Sequence, residues 1–202
     1  MRWHVRRVRY LEWDTDRAPR KLARPTFPEL HAVSEKLVAL VVASSRPPVA
    51  LDTRGCVTTH TSCIFVPWHA LYNVRNRSIR KTAKYRDEFK PDEAKPNLCR
   101  EDLEALSREF SLKYLLAVMN SSFARDSLSK RRRSKMHIYP DDWKDLPIMP
   151  IPLGGQQEFV QLVDAILAEF AKHGHPLPPD SRQRVTAIER EIDERVAALY
   201  GL

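Results

Sequence analysis

Apolar and basic positions alternate weakly at the start of the chain, short apolar runs follow as far as residue 66, and helical spacing of three to four sets in after residue 100. At the start, Trp3, Val5, Val8 and Tyr10 alternate with arginines, which predicts a half-buried strand of weak periodicity. "RPTFPEL" is proline-rich and predicts extended chain, because proline locks φ and disfavours helix in the residue before it. Two β-rich runs follow at 37–43 and 48–52, then an "LDTRG" turn, then a β-branched strand from Val57 to Val66. Together they predict a twisted antiparallel sheet joined by short turns. From Tyr72 to Leu98 no period survives, and a long exposed loop is expected.

Helical spacing begins at Arg100, with Leu103 and Leu106 in "REDLEALSREF". "SLKYLLAVMNSSFARDSL" predicts a helix capped by Ser111 that presents Leu112, Leu115, Leu116 and Met119 on one face. "IYPDDWKDLPIMPIP" is apolar between prolines and predicts extended chain. Gln156–Lys172 puts Phe159, Val163, Ile166 and Phe170 on one stripe. Ser181–Leu199, capped by Ser181 and stopped at Gly201, does the same with Val185, Ile188, Ile192 and Val196. The short "HGHPLPPD" link makes the last two an antiparallel pair. The expected class is therefore α/β in the α+β sense: a twisted β-rich core with basic loops over residues 1–155, then a helical pair over 156–202 that serves as spacer or docking element.

Charge sharpens this division. The chain of 202 residues has a formal net charge of +8, but residues 156–202 hold five basic against eight acidic groups. The excess lies in clusters at 1–24 (eight basic, three acidic), 75–90 (seven and two) and 125–135 (six and one). Such clustering makes local positive potential that attracts polyanions. Three cysteines argue against a disulfide scaffold, and no apolar run approaches the roughly 18 residues that cross a bilayer. The basic start is not followed by a signal-peptide core, so the expectation is a cytoplasmic protein with no membrane partner, or a piece of a longer one.

Catalytic signatures are sparse. Cys56, His60 and Cys63 lack the second pair of ligands that a zinc site uses, and His173 and His175 sit in a loop, so no metal is expected. "PDEAK" at 91–95 holds the elements of a metal-dependent nuclease, but contiguous in one loop, where two carboxylates cannot converge on an ion from separate strands. There is no nucleophile elbow, P-loop or dinucleotide fingerprint. No catalytic residue is expected in this chain.

The order of segments carries more than any single motif. "RPTFPELHAVSEKLVALVVA", "ALDTRGCVTTHTSCIFVPW", "KYLLAVMNSSFARDSL", "DWKDLPIMPIP" and "IDERVAALYGL" follow one another along residues 20–202. This series resembles the C-terminal target-recognition domain of TaqI-like adenine-specific DNA methyltransferases and of the type IIG restriction–modification enzymes. Met119 stands where that family usually has Leu before its Asn-Ser pair. The resemblance implies a partner catalytic domain, in cis or in trans, that binds S-adenosylmethionine and methylates a flipped adenine. Its Asn/Asp/Ser-Pro-Pro-Tyr/Phe motif does not occur here; "RPPV" at 46–49 and "LPPD" at 177–180 both fail it. No cofactor is expected in this chain. Sequence-specific binding of double-stranded DNA, in a bacterial or archaeal phage-defence system at the nucleoid, is the implied role.

Within that reading, Asn73, Arg75, Asn76, Arg77, Thr59 and His60 are the expected base contacts, since amide and guanidinium groups pair bidentately with base edges. Arg80, Lys81, Lys84, Lys130, Arg131, Arg132, Arg133 and Lys135 are the expected phosphate contacts. Two other readings remain open: a protein–protein module of a phage-defence assembly, and an RNA-binding accessory protein.

Overall fold

The computed structural model describes residues 3–4, 28–42, 48–58, 61–74, 99–134 and 136–202. Among these, four strands form one sheet of order β1-β3-β2-β4: β1 (Trp3–His4), β2 (Lys36–Leu40), β3 (Val49–Asp52) and β4 (Ser62–Phe65). β2 pairs antiparallel with both β3 and β4, whereas β1 adds to β3 in parallel, Trp3 opposite Ala50. Leu37, Ala39, Val49 and Cys63 are buried in the core, as alternation within short strands predicts.

Two expectations about this half need correction. Pro28–Ala32 is a short helix, α1, not extended chain. Proline fits a first helical position, where its missing N–H is not needed. The strand expected from Val57 begins only at Ser62. The reason is local: side chains of Asp52 and His31 accept hydrogen bonds from the Arg54, Cys56 and Thr58 N–H groups, so those donors are unavailable to a ladder. The expected strand at 1–13 is described only at Trp3–His4, where the indole Nε1–H donates to Glu189 at 2.6 Å.

The helices are α2 (Arg100–Arg108), α3 (Leu112–Asn120), α4 (Ser122–Arg131), α5 (Pro140–Lys144), α6 (Leu153–His173) and α7 (Pro179–Leu199). The single helix expected after Ser111 is thus two. Ser121 interrupts it with extended backbone (ψ 164°), and its hydroxyl caps both sides, accepting from Ala124 N–H and donating to Val118 O. The buried face also differs. Tyr114, Leu116, Ala117 and Val118 are fully buried while Leu112 and Leu115 are only partly so. α3 lies between the sheet and the α6–α7 pair, and a helix covered on several sides is apolar nearly all round.

"IYPDDWK" likewise contains a helical turn, α5, entered through Pro140. α7 begins two residues before Ser181, at Pro179, and Ser181 is buried inside its first turn. The antiparallel pairing of α6 and α7 is as expected: Arg184 forms a bidentate pair with Glu169, at 3.0 and 2.9 Å, and Arg195 reaches Glu158 further along. Glu169 is held at a pKa of about 2, chiefly by Arg184. Phe159, Val163, Ile166, Val185, Ile192 and Val196 join the strand residues in one core. The terminal pair therefore packs on this chain's own α3 and β1.

Candidate nucleic-acid interface

Three polar or basic stretches of the sequence are flanked by described residues, and a buried charged side chain anchors the flanks of each. The first is the turn after β3. Lys36 Nζ and Asp52 Oδ2 form an ion pair of 2.6 Å with both side chains fully buried. Lys36 spends its other donors on the carbonyls of His31 (2.9 Å) and Val33 (3.4 Å). Asp52 accepts from the Arg54 and Cys56 N–H groups, at 3.0 and 2.7 Å. Burial opposes its ionisation, but Lys36 and these N–H donors outweigh that and hold the carboxyl below its ordinary pKa. Gly55, at φ +65°, supplies the left-handed residue of the turn, and a Cβ there would meet His31 O at 3.5 Å. His31 closes the node by accepting from Thr58 N–H at 3.3 Å. Of the expected base contacts here, Thr59 and His60 lie outside the described residues. Their flanks are held, Thr58 by His31 and Thr61 by a bond from Val41 N–H to its carbonyl at 2.8 Å.

The second root is Arg100. Its guanidinium donates to Leu71 O (2.5 Å) and Val74 O (2.7 Å), pairs with Glu104 (2.8 Å) and lies 5.4 Å from the centre of the Trp68 ring. His69 adds a second tie, its N–H donating to Ser107 Oγ at 2.9 Å. The chain therefore leaves at Val74 and returns at Cys99 against the same side chain. Asn73, the one expected contact of this stretch among the described residues, is exposed and left-handed (φ 62°), a conformation asparagine tolerates. Arg75, Asn76, Arg77, Arg80, Lys81 and Lys84 lie outside the described residues.

The third root is Asp142. Its carboxylate, nearly fully buried, accepts from Arg133 N–H (3.3 Å) and Tyr139 N–H (2.7 Å), so the segment between them starts and ends on one group. Lys130, Arg131 and Arg133 are exposed and Arg132 half-buried. Arg131 donates to Asp145 O at 3.0 Å, and Arg133 stands 3.9 Å from Asp141 with both groups in solvent. Among the described residues no ion pair is formed by Arg131 or Arg132, while Lys130 helps to lower the pKa of Asp126. Lys135 lies outside the described residues.

Sequence reasoning missed the anchors. Arg100 reads as a first-turn helix residue, and nothing in the order of residues marks it as the partner of carbonyls 26 and 29 positions earlier. Asp52 did carry a signal, as the first residue of an Asp-x-x-Gly turn. Asn120, of the Asn-Ser pair, is structural: its amide accepts from Val49 N–H (3.1 Å) and donates to Val49 O (2.9 Å), binding β3 as a neighbouring strand would. Among the described residues no cluster of His, Cys, Asp and Glu is arranged to hold a metal. Cys63 is a buried thiol, pushed up to about 11 by burial and by the nearby Asp142 charge. No helix among the described residues is long and apolar enough to cross a membrane.

Compared with protein-family models and with curated proteins, the chain matches none.

Proposed function

We propose that this chain binds double-stranded DNA in a sequence-specific manner, as the specificity part of an adenine-N6 DNA methyltransferase or restriction–modification enzyme. The observation that carries the reading is the cationic run Lys130–Arg133: four consecutive basic side chains at the open end of α4, two of them without an acidic partner among the described residues. Such a run is suited to phosphate oxygens, and its loop is closed on the buried Asp142, so the cations start from a fixed place. The ordered resemblance of five segments to the target-recognition domain supports the same assignment. The twisted recognition core belongs to this proposal, as do the partners: duplex DNA, and a catalytic domain carrying S-adenosylmethionine.

Duplex binding measured by fluorescence anisotropy across a salt series tests it. Log affinity should fall linearly with log salt at about 0.9 per neutralised phosphate, with a remaining preference for one short sequence. Replacing Arg131, Arg132 and Arg133 together by Ala should weaken binding to all sequences alike, lowering the slope by about 0.9 for each arginine that holds a phosphate. Absence of salt-sensitive duplex binding sinks the proposal. A changed sequence preference in the triple variant would show instead that these arginines touch bases.

A further inference from the structure

Beside the arginine run lies an apolar strip that the core does not use. Past the end of β2, Val42 bridges His137 in antiparallel fashion, and Ile138 N–H donates to Val41 O at 2.7 Å. Alternation then sorts the two short segments into faces. Val41 and Ile138 turn to the core, while Leu40 (43% exposed), Val42 (58%) and Tyr139 (45%) lie in solvent. The His137 ring stacks against Tyr139, centroids 5.9 Å apart. Met136, at the head of the strip, is 72% exposed, its N–H donating to Ser134 Oγ at 3.1 Å. Arg133 borders this surface through the shared Asp142 anchor, and Lys130 and Arg131 precede it directly in the chain.

Exposed apolar side chains close to a basic run call for a partner that is anionic at its rim and apolar at its centre. The major groove of a duplex offers both, with phosphates along its edges and thymine C5-methyl groups on its floor. We propose that this strip, with Met136 and Tyr139 foremost, reads thymine methyl groups in the major groove, while Lys130, Arg131 and Arg133 hold the flanking phosphates. Thioether and aromatic ring both suit the contact, being polarisable and apolar. The inference rests on the duplex-binding reading above and adds base-reading residues that charge patterning passed over.

The test uses the whole chain and a duplex selected from a randomised pool. Each thymine of the selected site is replaced in turn by uracil, which removes only the methyl group, and affinities are measured for the wild type, Met136→Ala and Tyr139→Ala. For the wild type, at least one such replacement should cost about fourfold in affinity, the transfer free energy of one methyl. Met136→Ala or Tyr139→Ala should bind the thymine and uracil duplexes equally well while keeping the salt slope of the wild type. Both substitutions are on the surface, and circular dichroism checks that the fold is kept. If both variants keep full discrimination at every thymine, or the wild type shows none, the strip does not read methyl groups and the proposal falls alone. If the wild type binds no duplex in a salt-sensitive way, the underlying reading falls, and this one with it. A wild-type dimer made monomeric by Met136→Ala would assign the strip to contact between copies and overturn the proposal.

Discussion

Single buried polar residues hold the loops in place, and His31 shows how. Burial first, and the Lys36 charge second, lower its pKa from the ordinary 6.5, so the folded protein keeps it neutral with Nδ1 accepting from Thr58 N–H. Below pH 6.5 the unfolded chain takes up a proton that the folded chain refuses. Stability is therefore full above 6.5 and declines as pH falls from 6.5 toward the lowered folded value. The urea midpoint should drop between pH 7.5 and 5.5, and His31→Asn should show a shallower drop over the same range; identical slopes would refute this role. The Lys36–Asp52 pair contributes in a lower window, since the depressed Asp52 pKa gives stability present above 3.8 and lost as pH falls through the folded value. Lys36→Met should cost on the order of 3–5 kcal/mol, because it leaves a buried carboxylate without its cation.

Elements are joined by side chains that stand in for missing backbone partners. Asn120 bonds both backbone groups of Val49 at the start of β3, and Gln156 does the same kind of work where three segments meet. Its amide accepts from Ser111 N–H (2.8 Å) and donates to Glu109 O (2.7 Å) and Ile151 O (2.8 Å), tying the α2–α3 junction to the start of α6. Arg100 plays this part for the 3-10 turn at Trp68–Leu71 and its exit through Val74. Arg100→Met keeps the apolar stem but removes the donors to two carbonyls, a loss of about 2–4 kcal/mol for charged bonds with little solvent access. Hydrogen exchange at His69 and Val74 should accelerate in that variant while the α6–α7 amides keep their protection. Uniform acceleration everywhere would show that Arg100 supports the whole fold and not this turn. The break at Ser121 belongs to the same scale: helical spacing runs straight across it, but a hydroxyl that bonds backbone on both sides favours a double cap over continuation.

At the scale of the molecule, the C-terminus closes back on the middle of the chain. Tyr200 donates to Pro147 O at 2.6 Å and accepts from Met149 N–H at 2.9 Å, while its ring stacks on Phe123 at 3.8 Å. Tyr114 donates to Met149 O at 2.7 Å, so the proline-rich "LPIMP" stretch, which pairs with no strand among the described residues, is held by two tyrosines. Tyr200→Phe keeps the stack and should cost about 1–2 kcal/mol, seen as a shifted denaturant midpoint with an unchanged slope. A midpoint within error of the wild type would show that solvent replaces both bonds. Period and charge in the sequence were enough to determine the mixed α/β class, β2 and β3, the α6–α7 pair, its stop at Gly201 and the placing of basic clusters outside the last 47 residues. These depend on neighbours a few residues apart, which is where periodicity and capping act. Only the tertiary structure decided that α3 is buried on several sides, that the strand expected from Val57 begins only at Ser62, and that Lys36, Arg100 and Asp142 anchor the three stretches. It also bridged Val42 to His137, 95 residues away in sequence. Those outcomes depend on which distant groups meet, and a buried charge or an exposed methionine has no local signature until its surroundings are assembled.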